Sequence, residues 1–315
     1  MKDILVTCPP MLGQLDRFQD LAASKGLKLH PAKTTQILSE EELIALLPDY
    51  DGWIIGDDPA TRQVFEAAQA GRLTAAVKWG IGVDNVDFAA CQELGIPIIN
   101  TPNMFGNEVA DMATAFVIGL ARQLFQIDRG VRAGDWIKPA GISLTGRRVG
   151  VVGLGDIGRN TATRLQALGM DVVAYDPGVN DAGIPGLTRA SWPEQVETLD
   201  FIVITCALNV HNTHMLNADV LAQARDGVRV VNVARGPLID EAALTAALIS
   251  GKVHSAALDV FEVEPLPADS ALRNLPDGIT ERCIFGTHNG SNSVDGVIRA
   301  SHEAIGKLAG FLGTA

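Results

Sequence analysis

Short apolar runs recur through the first part of the chain, at residues 4–7, 27–30, 52–55, 75–79 and 97–100, and each is bounded by polar or turn-forming residues. Such runs predict short buried strands. Apolar residues at helical spacing over 40–47 and 86–94 predict helices between them, and the alternation implies a parallel, doubly wound sheet. Residues 107–132 keep a helical period without proline and predict one long helix bridging two domains. A second strand–helix series follows, with strands at 149–152, 172–175, 201–205, 229–233, 255–258 and 283–285, a six-member set of the kind a dinucleotide fold uses. The tail, 294–312, is helical again. Because the second series lies mid-chain, the tail is expected to return to the first domain, with the catalytic cleft between the domains. There are no internal repeats, low-complexity tracts or charge runs.

The strand at 149–152 runs into Gly153-Leu154-Gly155-Asp156-Ile157-Gly158 and a predicted helix over 156–168. This is the strand–turn–helix context that a dinucleotide-binding GxGxxG requires. Gly153 permits the tight turn, Gly155 lets backbone approach a pyrophosphate, and Gly158 lets the helix pack closely on the strand. The first helical turn, at Asp156 and Ile157, offers N–H groups and a positive dipole end to phosphate. The next strand ends in Asp176, 18 residues beyond Gly158. A carboxylate there accepts hydrogen bonds from both ribose hydroxyls and repels a 2′-phosphate, while Pro177, Gly178, Val179 and Asn180 bring no arginine to receive one. NAD is therefore expected rather than NADP.

Composition narrows the function classes. With 315 residues and 47% hydrophobic positions the chain has room for two ordinary domains with substantial cores. A net charge of −12 argues against nucleic acid or a membrane surface as partner. An anionic substrate must then be attracted by local cations, which is feasible because the Debye length is only ~8 Å at physiological salt. Cys8, Cys91, Cys206 and Cys283 are widely spaced, and with no signal peptide they read as reduced thiols of a cytoplasmic protein. No apolar run reaches the ~18 residues of a membrane span. His211 and His214 suggest a metal pair only by spacing; without a further ligand nearby they read as part of a polar loop, and no metal is expected.

Three ionisable residues close apolar strands in the C-terminal half: Arg235, Glu264 and His288. In an open parallel sheet the carboxyl ends of the strands face the ligand crevice, so three unlike groups placed there could converge. Hydride chemistry on a 2-oxo acid needs such a trio: a cation, a proton donor and a group that tunes the donor. Taken singly, Arg235 could instead merely cap a loop by salt bridging, His288 could be a satisfied loop histidine, and spacing alone does not choose between Glu262 and Glu264. His30, His254 and His302 read as structural or solvated.

Three stretches carry a resemblance: Gly80-Ile81-Gly82-Val83-Asp84-Asn85-Val86-Asp87, Asn232-Val233-Ala234-Arg235-Gly236-Pro237-Leu238-Ile239-Asp240-Glu241, and Asp259-Val260-Phe261-Glu262-Val263-Glu264-Pro265. In this order they resemble the D-isomer-specific 2-hydroxyacid dehydrogenases, which include phosphoglycerate, glycerate and D-lactate dehydrogenases. Trp136 and Leu144-Thr145-Gly146-Arg147 match as well, and the likeness covers nearly the whole chain. The resemblance implies an α/β protein of two doubly wound parallel-sheet domains, with a Rossmann NAD-binding domain (101–287) inserted into a flavodoxin-like substrate domain (1–100 with 288–315). It places the substrate arginine on Arg235, the acid-tuning glutamate on Glu264, ahead of the proline, and the proton-transferring histidine on His288. Arg235 would pair with the substrate carboxylate and polarise its carbonyl. His288 would pass a proton to the oxygen, and Glu264 would favour the imidazolium.

The same resemblance puts Cys206, Ala234, Asp259 and His288 near the nicotinamide. Cys206 would be a packing residue, and Asp259 would face the carboxamide or hold a strand end. In the first domain, the amides of Ile81 and Gly82 would hold the substrate carboxylate, and Asn100 would contact substrate or brace its loop. Lys78 stands where many relatives carry arginine and is a candidate anchor for an anionic or hydroxylated group at C3, against the plainer reading of a surface lysine. The family usually shows proline before the histidine and an aliphatic residue, then glycine, after it. Here Thr287 precedes His288, and Asn289-Gly290-Ser291-Asn292 follow. The expected activity is interconversion of a small 2-hydroxy acid and its 2-oxo acid with NAD, with a polar or anionic C3 substituent of the phosphoglycerate, sulfolactate or glycerate/hydroxypyruvate type. The alternative is an NAD-sensing scaffold like the related corepressors, which keep a similar trio. A homodimer formed through the nucleotide domain is expected. With the chain ending at Ala315, the regulatory extension of many phosphoglycerate dehydrogenases is expected to be missing.

Overall fold

In the computed structural model, which describes residues 1–179 and 183–314 and so leaves Asn180 outside the described residues, two units form: Met1–Phe105 with Ser291–Ala315, and Gly106–Gly290. In the first unit β1 (Lys2–Val6), β2 (Leu27–Pro31), β3 (Gly52–Ile55), β4 (Ala75–Lys78) and β5 (Ile98–Asn100) pair in parallel in the order β2-β1-β3-β4-β5. This is the flavodoxin-like order. Every residue of β3 and β4 is buried, which is why these strands read as unbroken apolar runs.

The helices fall where the apolar period put them. Glu40–Leu46 begins at a Ser39/Glu42 capping box, and Phe88–Leu94 stops at Gly95, whose φ of 68° is the left-handed conformation that ends helices. The tail forms the helix Val294–Phe311 and returns to this sheet, burying Val297, Ala300, Ala304, Ile305 and Leu308 completely. Trp79 Nε1 donates to Ser301 Oγ at 3.2 Å. Leu308 packs so closely over Gly52 that a Cβ there would lie 3.3 Å from its methyl groups. Burial stabilises each large aliphatic side chain of this face by about 1.5–3 kcal/mol.

In the second unit β6 (Arg148–Val152), β7 (Asp171–Tyr175), β8 (Thr188–Arg189), β9 (Phe201–Ile204), β10 (Val228–Asn232), β11 (Val253–Leu258) and β12 (Ile284–Phe285) form a parallel sheet in the order β12-β11-β10-β9-β6-β7-β8. It is doubly wound, with the chain starting at β6 and switching direction between β6 and the central β9. Residues 288–290 belong to this unit, because the amides of His288, Asn289 and Gly290 all bond to Asp259.

Two expectations are corrected. The sheet has seven strands instead of six: β8 is two exposed polar residues, and no apolar run marks it. The single helix over 107–132 is two, Gly106–Arg122 and Leu124–Ala133. They break at Gln123, which sits at φ 53° with its amide Nε2 donating to Ala140 O at 2.7 Å. The next turn of chain also bonds back, Ile142 N to Ala121 O, so a long-range contact overrides a period that runs straight through.

His254, on β11, gives the unit an acid sensitivity. Burial, then Arg229 and Arg282, push its pKa from 6.5 down to about 4. Between these values the unfolded chain takes up a proton that the folded protein refuses, so this contribution to stability is complete above about pH 6.5 and is lost as pH falls toward 4. We expect His254→Gln to flatten the decline of unfolding free energy between pH 7 and 4.5 in urea titrations; slopes equal to wild type would contradict the assignment.

Candidate active site

The glycine turn after β6 is shaped by what each glycine leaves out. Gly153 has φ 100°, and a Cβ there would lie 2.6 Å from Cys206 Cα. A Cβ on Gly158 would lie 1.9 Å from Gly153 O, so only glycine lets the helix Asp156–Ala167 start so close to its strand. Gly155 differs, since a Cβ there would meet nothing within 4 Å. Its missing side chain keeps a cradle open at a helix N-terminus that carries no side-chain cap, with Asp156 and Ile157 in the first turn. A pyrophosphate fits that space and those donors.

Asp176, directly after β7, faces the same turn. Its Oδ2 accepts from Leu154 N at 2.7 Å and its Oδ1 from Gly178 N at 2.8 Å, which holds the half-buried carboxylate in place. Sequence reasoning missed Arg189, which donates from β8 to Asp176 O at 3.2 Å. Cys206 is half-buried against Met215, 3.8 Å between sulfurs, and burial pushes its thiol up to about 11. It is therefore a packing residue with little thiolate character.

At the ends of β10, β11 and β12 the sequence-predicted trio takes shape. Asn232, the last residue of β10, is 1% exposed and holds the turn that follows: its Oδ1 accepts from Ala234 N at 3.0 Å and its Nδ2 donates to Arg235 O at 2.8 Å. A polar residue closing the run Val228-Arg229-Val230-Val231 was the available signal for this role. Gly236 then passes against Phe261, where a Cβ would fall 1.8 Å from the Phe261 carbonyl carbon. The stretches bearing Arg235 and Glu264 are thus in backbone contact.

Glu264 Oε2 meets His288 Nδ1 at 2.8 Å, while its Oε1 accepts from Phe261 N at 2.9 Å. This geometry separates Glu264 from Glu262, whose Oε1 instead accepts from Glu241 N and pairs with His214 Nε2, both at 3.0 Å. His214 is thus paired with a carboxylate. The Nδ1 contact fixes the orientation of the His288 ring against the Glu264 carboxylate.

His288 itself has φ 55°, unusual for a residue with a side chain. Asp259 supports it. This carboxylate is 1% exposed; Oδ1 accepts from Asn289 N at 3.0 Å, Oδ2 from Gly290 N at 2.8 Å, and the Asp259 carbonyl from His288 N at 2.7 Å. Gly286 makes the space, because a Cβ there would sit 2.2 Å from Asp259 Oδ1. Of the two sequence readings of Asp259, the strand-end structural one has its bonds on view.

In the first unit Lys78 and Asn100 are register partners on β4 and β5. Lys78 is not a surface lysine. It is 2% exposed, with Nζ donating to Gly56 O at 2.5 Å and Asp57 Oδ1 at 3.0 Å. Asn100 Nδ2 donates to Ile81 O at 3.2 Å, and Gly80, at φ 112°, donates its N–H to buried Thr101 Oγ1 at 2.8 Å. The Ile81–Gly82 turn is thereby braced by β5, with Ile81 40% exposed.

Comparison with known proteins fits this geometry. The family model "D-isomer specific 2-hydroxyacid dehydrogenase, NAD binding domain" matches residues 114–290. The chain is 33% identical to the hydroxypyruvate reductase of Thermotoga maritima over 283 residues, 89% of this chain and 90% of that one. It is 38% identical to the D-3-phosphoglycerate dehydrogenase of Homo sapiens over 273 residues, 85% of this chain but 50% of that one, and so spans about half the length of that relative. Among solved structures, the TT0316 protein of Thermus thermophilus superposes with a TM-score of 0.85 at 28% identity, covering 99% of this chain and 97% of the other. A family match over more than half of the chain, together with a relative one-third identical along nine-tenths of it, leads to one conclusion: the chain belongs to the D-isomer-specific 2-hydroxyacid dehydrogenases and is an NAD-dependent oxidoreductase of that family.

Proposed function

We propose that the protein interconverts a small 2-hydroxy acid and its 2-oxo acid, with a neutral hydroxylated substituent at C3, as in glycerate and hydroxypyruvate. The observation that carries the chemistry is the 2.8 Å contact of His288 Nδ1 with Glu264 Oε2, at the sheet end that also bears Arg235. When bound, NAD supplies the hydride acceptor or donor for C2. Arg235 makes charge-assisted bonds to the substrate carboxylate and draws electron density from the carbonyl oxygen. The amides of Ile81 and Gly82 add donors, and Asn100 braces that turn. During reduction His288 Nε2 gives its proton to the oxygen as the C2 carbonyl becomes a hydroxyl, and during oxidation it takes that proton back. Glu264 holds the imidazole through Nδ1 and stabilises its charged form. Ala234 and Cys206 line the cofactor side, and Asp259 keeps His288 in place.

The C3 assignment rests on Lys78. Its ammonium is already paired with Asp57 and Gly56 O, so the pair brings no net charge to a dianionic phosphate, whereas a hydroxyl can share such a buried polar pair. The name of the Thermotoga relative agrees with a hydroxypyruvate-type substrate. The test is initial-rate NADH oxidation with glyoxylate, pyruvate, hydroxypyruvate, 3-phosphohydroxypyruvate and sulfopyruvate. We expect hydroxypyruvate to exceed the phosphorylated and sulfonated analogues by about tenfold or more in kcat/KM, the worth of one hydrogen bond to a charged group. Preference for either anionic analogue would overturn the C3 reading, and inertness toward all five would overturn the reaction.

The four cysteines are free, which supports a reducing, cytoplasmic setting. A homodimer is supported by the helix Leu124–Ala133, which buries none of its residues and exposes Leu124, Phe125 and Val131, with Trp136 81% exposed just beyond. Light scattering at micromolar concentration is expected to give twice the 33.3 kDa chain mass; a monomeric mass would reject the dimer.

A further inference from the structure

Glu241, Glu262 and His214 lie outside the trio and make an unusual reciprocal contact. Glu262 Oε1 accepts from Glu241 N at 3.0 Å, while Glu241 Oε1 accepts from Glu262 N at 2.7 Å. Glu241 opens the helix Glu241–Ser250, so the Glu262 carboxylate also sits at a positive helix end. His214 Nε2 reaches the same Glu262 oxygen at 3.0 Å, and its own backbone N–H donates to Pro237 O at 2.8 Å. Leu216 N to Leu238 O and Asp240 N to Leu216 O continue that pairing. Three segments, following β9, β10 and β11, are stitched at one point. From there Arg235 is six residues back along the second segment and Glu264 two residues on along the third. Burial, with Glu262 and Glu264 nearby, pushes the Glu241 carboxyl above its usual range.

We propose that Glu241, Glu262 and His214 form a positioning clamp that sets the segment bearing Arg235 against the turn bearing Glu264, and through Glu264 aims His288. The clamp rests on the reaction proposed above. It acts through the two backbones that meet at Gly236 and Phe261, where there is no slack for a side chain. Glu264 Oε1 is held by Phe261 N, one residue before Glu262, so rotation of that turn would carry the carboxylate away from His288.

The test compares Glu262→Ala, Glu262→Gln and His214→Ala in NADH-dependent reduction of hydroxypyruvate. Glutamine keeps the acceptor oxygen that both Glu241 N and His214 Nε2 use; alanine removes it. We expect Glu262→Ala to lose about 10- to 100-fold in kcat/KM, the scale of a 1 Å misplacement, with most of the loss in kcat. NADH affinity by fluorescence and the thermal midpoint should stay near wild type. Glu262→Gln should restore activity to within about threefold, and His214→Ala should fall between the two. Unchanged activity in Glu262→Ala, or loss that tracks thermal stability and NADH affinity without rescue by glutamine, would overturn the clamp. If wild type does not reduce hydroxypyruvate or its analogues, the reaction reading falls instead. The clamp is then judged on the His288 imidazole NMR signal, identified with His288→Gln. A shift in Glu262→Ala but not in Glu262→Gln supports it, and a constant position refutes it.

Discussion

Arg235→Ala should lower kcat/KM for the oxo acid by about 1,000-fold, or ~4 kcal/mol of transition-state binding, while leaving NADH affinity within about twofold of wild type. The guanidinium is the only group of the trio that can pair in-plane with a carboxylate through two donors, and its pull on the carbonyl oxygen grows as negative charge develops there. The backbone that presents it keeps its main supports without the guanidinium, whose bond to that turn runs from Nη1 to Ala234 O at 2.9 Å. Asn232 holds the turn through Ala234 N and Arg235 O, contacts that survive truncation of the side chain. For this reason Arg235→Lys should recover only a small part of the loss, since an ammonium keeps the charge but not the planar fork. Steady-state kinetics beside NADH fluorescence titration would decide the matter. A parallel fall of both quantities would make Arg235 a structural residue.

The second large effect is expected at His288 and Glu264. His288→Ala should lower kcat by about 100- to 10,000-fold, the usual worth of positioned acid–base catalysis. Glu264→Ala should cost less, because the imidazole remains and loses only its orientation and its partner charge. The informative variant is the double substitution. If the 2.8 Å bond makes the two residues one device, removing Glu264 from an enzyme that already lacks His288 should change kcat by less than about threefold. Additive losses in a full double-mutant cycle would mean that Glu264 acts on the substrate independently.

Much of this arrangement was legible along the chain. The glycine turn, Asp176 and the strand-end positions of Arg235, Glu264 and His288 are local in sequence, and local spacing reports them. The apolar runs also located nearly every strand, because strands buried on both faces have no polar residue to interrupt them. What escaped was set by partners far away. Gln123 is turned left-handed by Ala140, and a hydrophobic period carries no information about one residue's φ. Asp259 is spent on amides 30 and 31 residues later, and Lys78 on an aspartate 21 residues earlier. Glu262 read along the chain only as the rival of Glu264, and its pairing with Glu241, likewise 21 residues away, emerges once β10 and β11 are laid side by side. The two-residue β8 has no apolar signature at all, which is why Arg189 was not foreseen beside Asp176.

The second unit, Gly106–Gly290, is uninterrupted, whereas the first is completed only by the helix Val294–Phe311. Translation at roughly 5–20 residues per second separates β5 from that helix by about 10–40 s. Over this interval the five strands are complete, yet the apolar ground beneath Leu308 and around Ile4 and Gly52 has nothing of its own chain to cover it. The nascent protein therefore passes through a stage in which its later-made unit can finish folding before its earlier-made one, with part of the first core left uncovered until its closing helix leaves the ribosome.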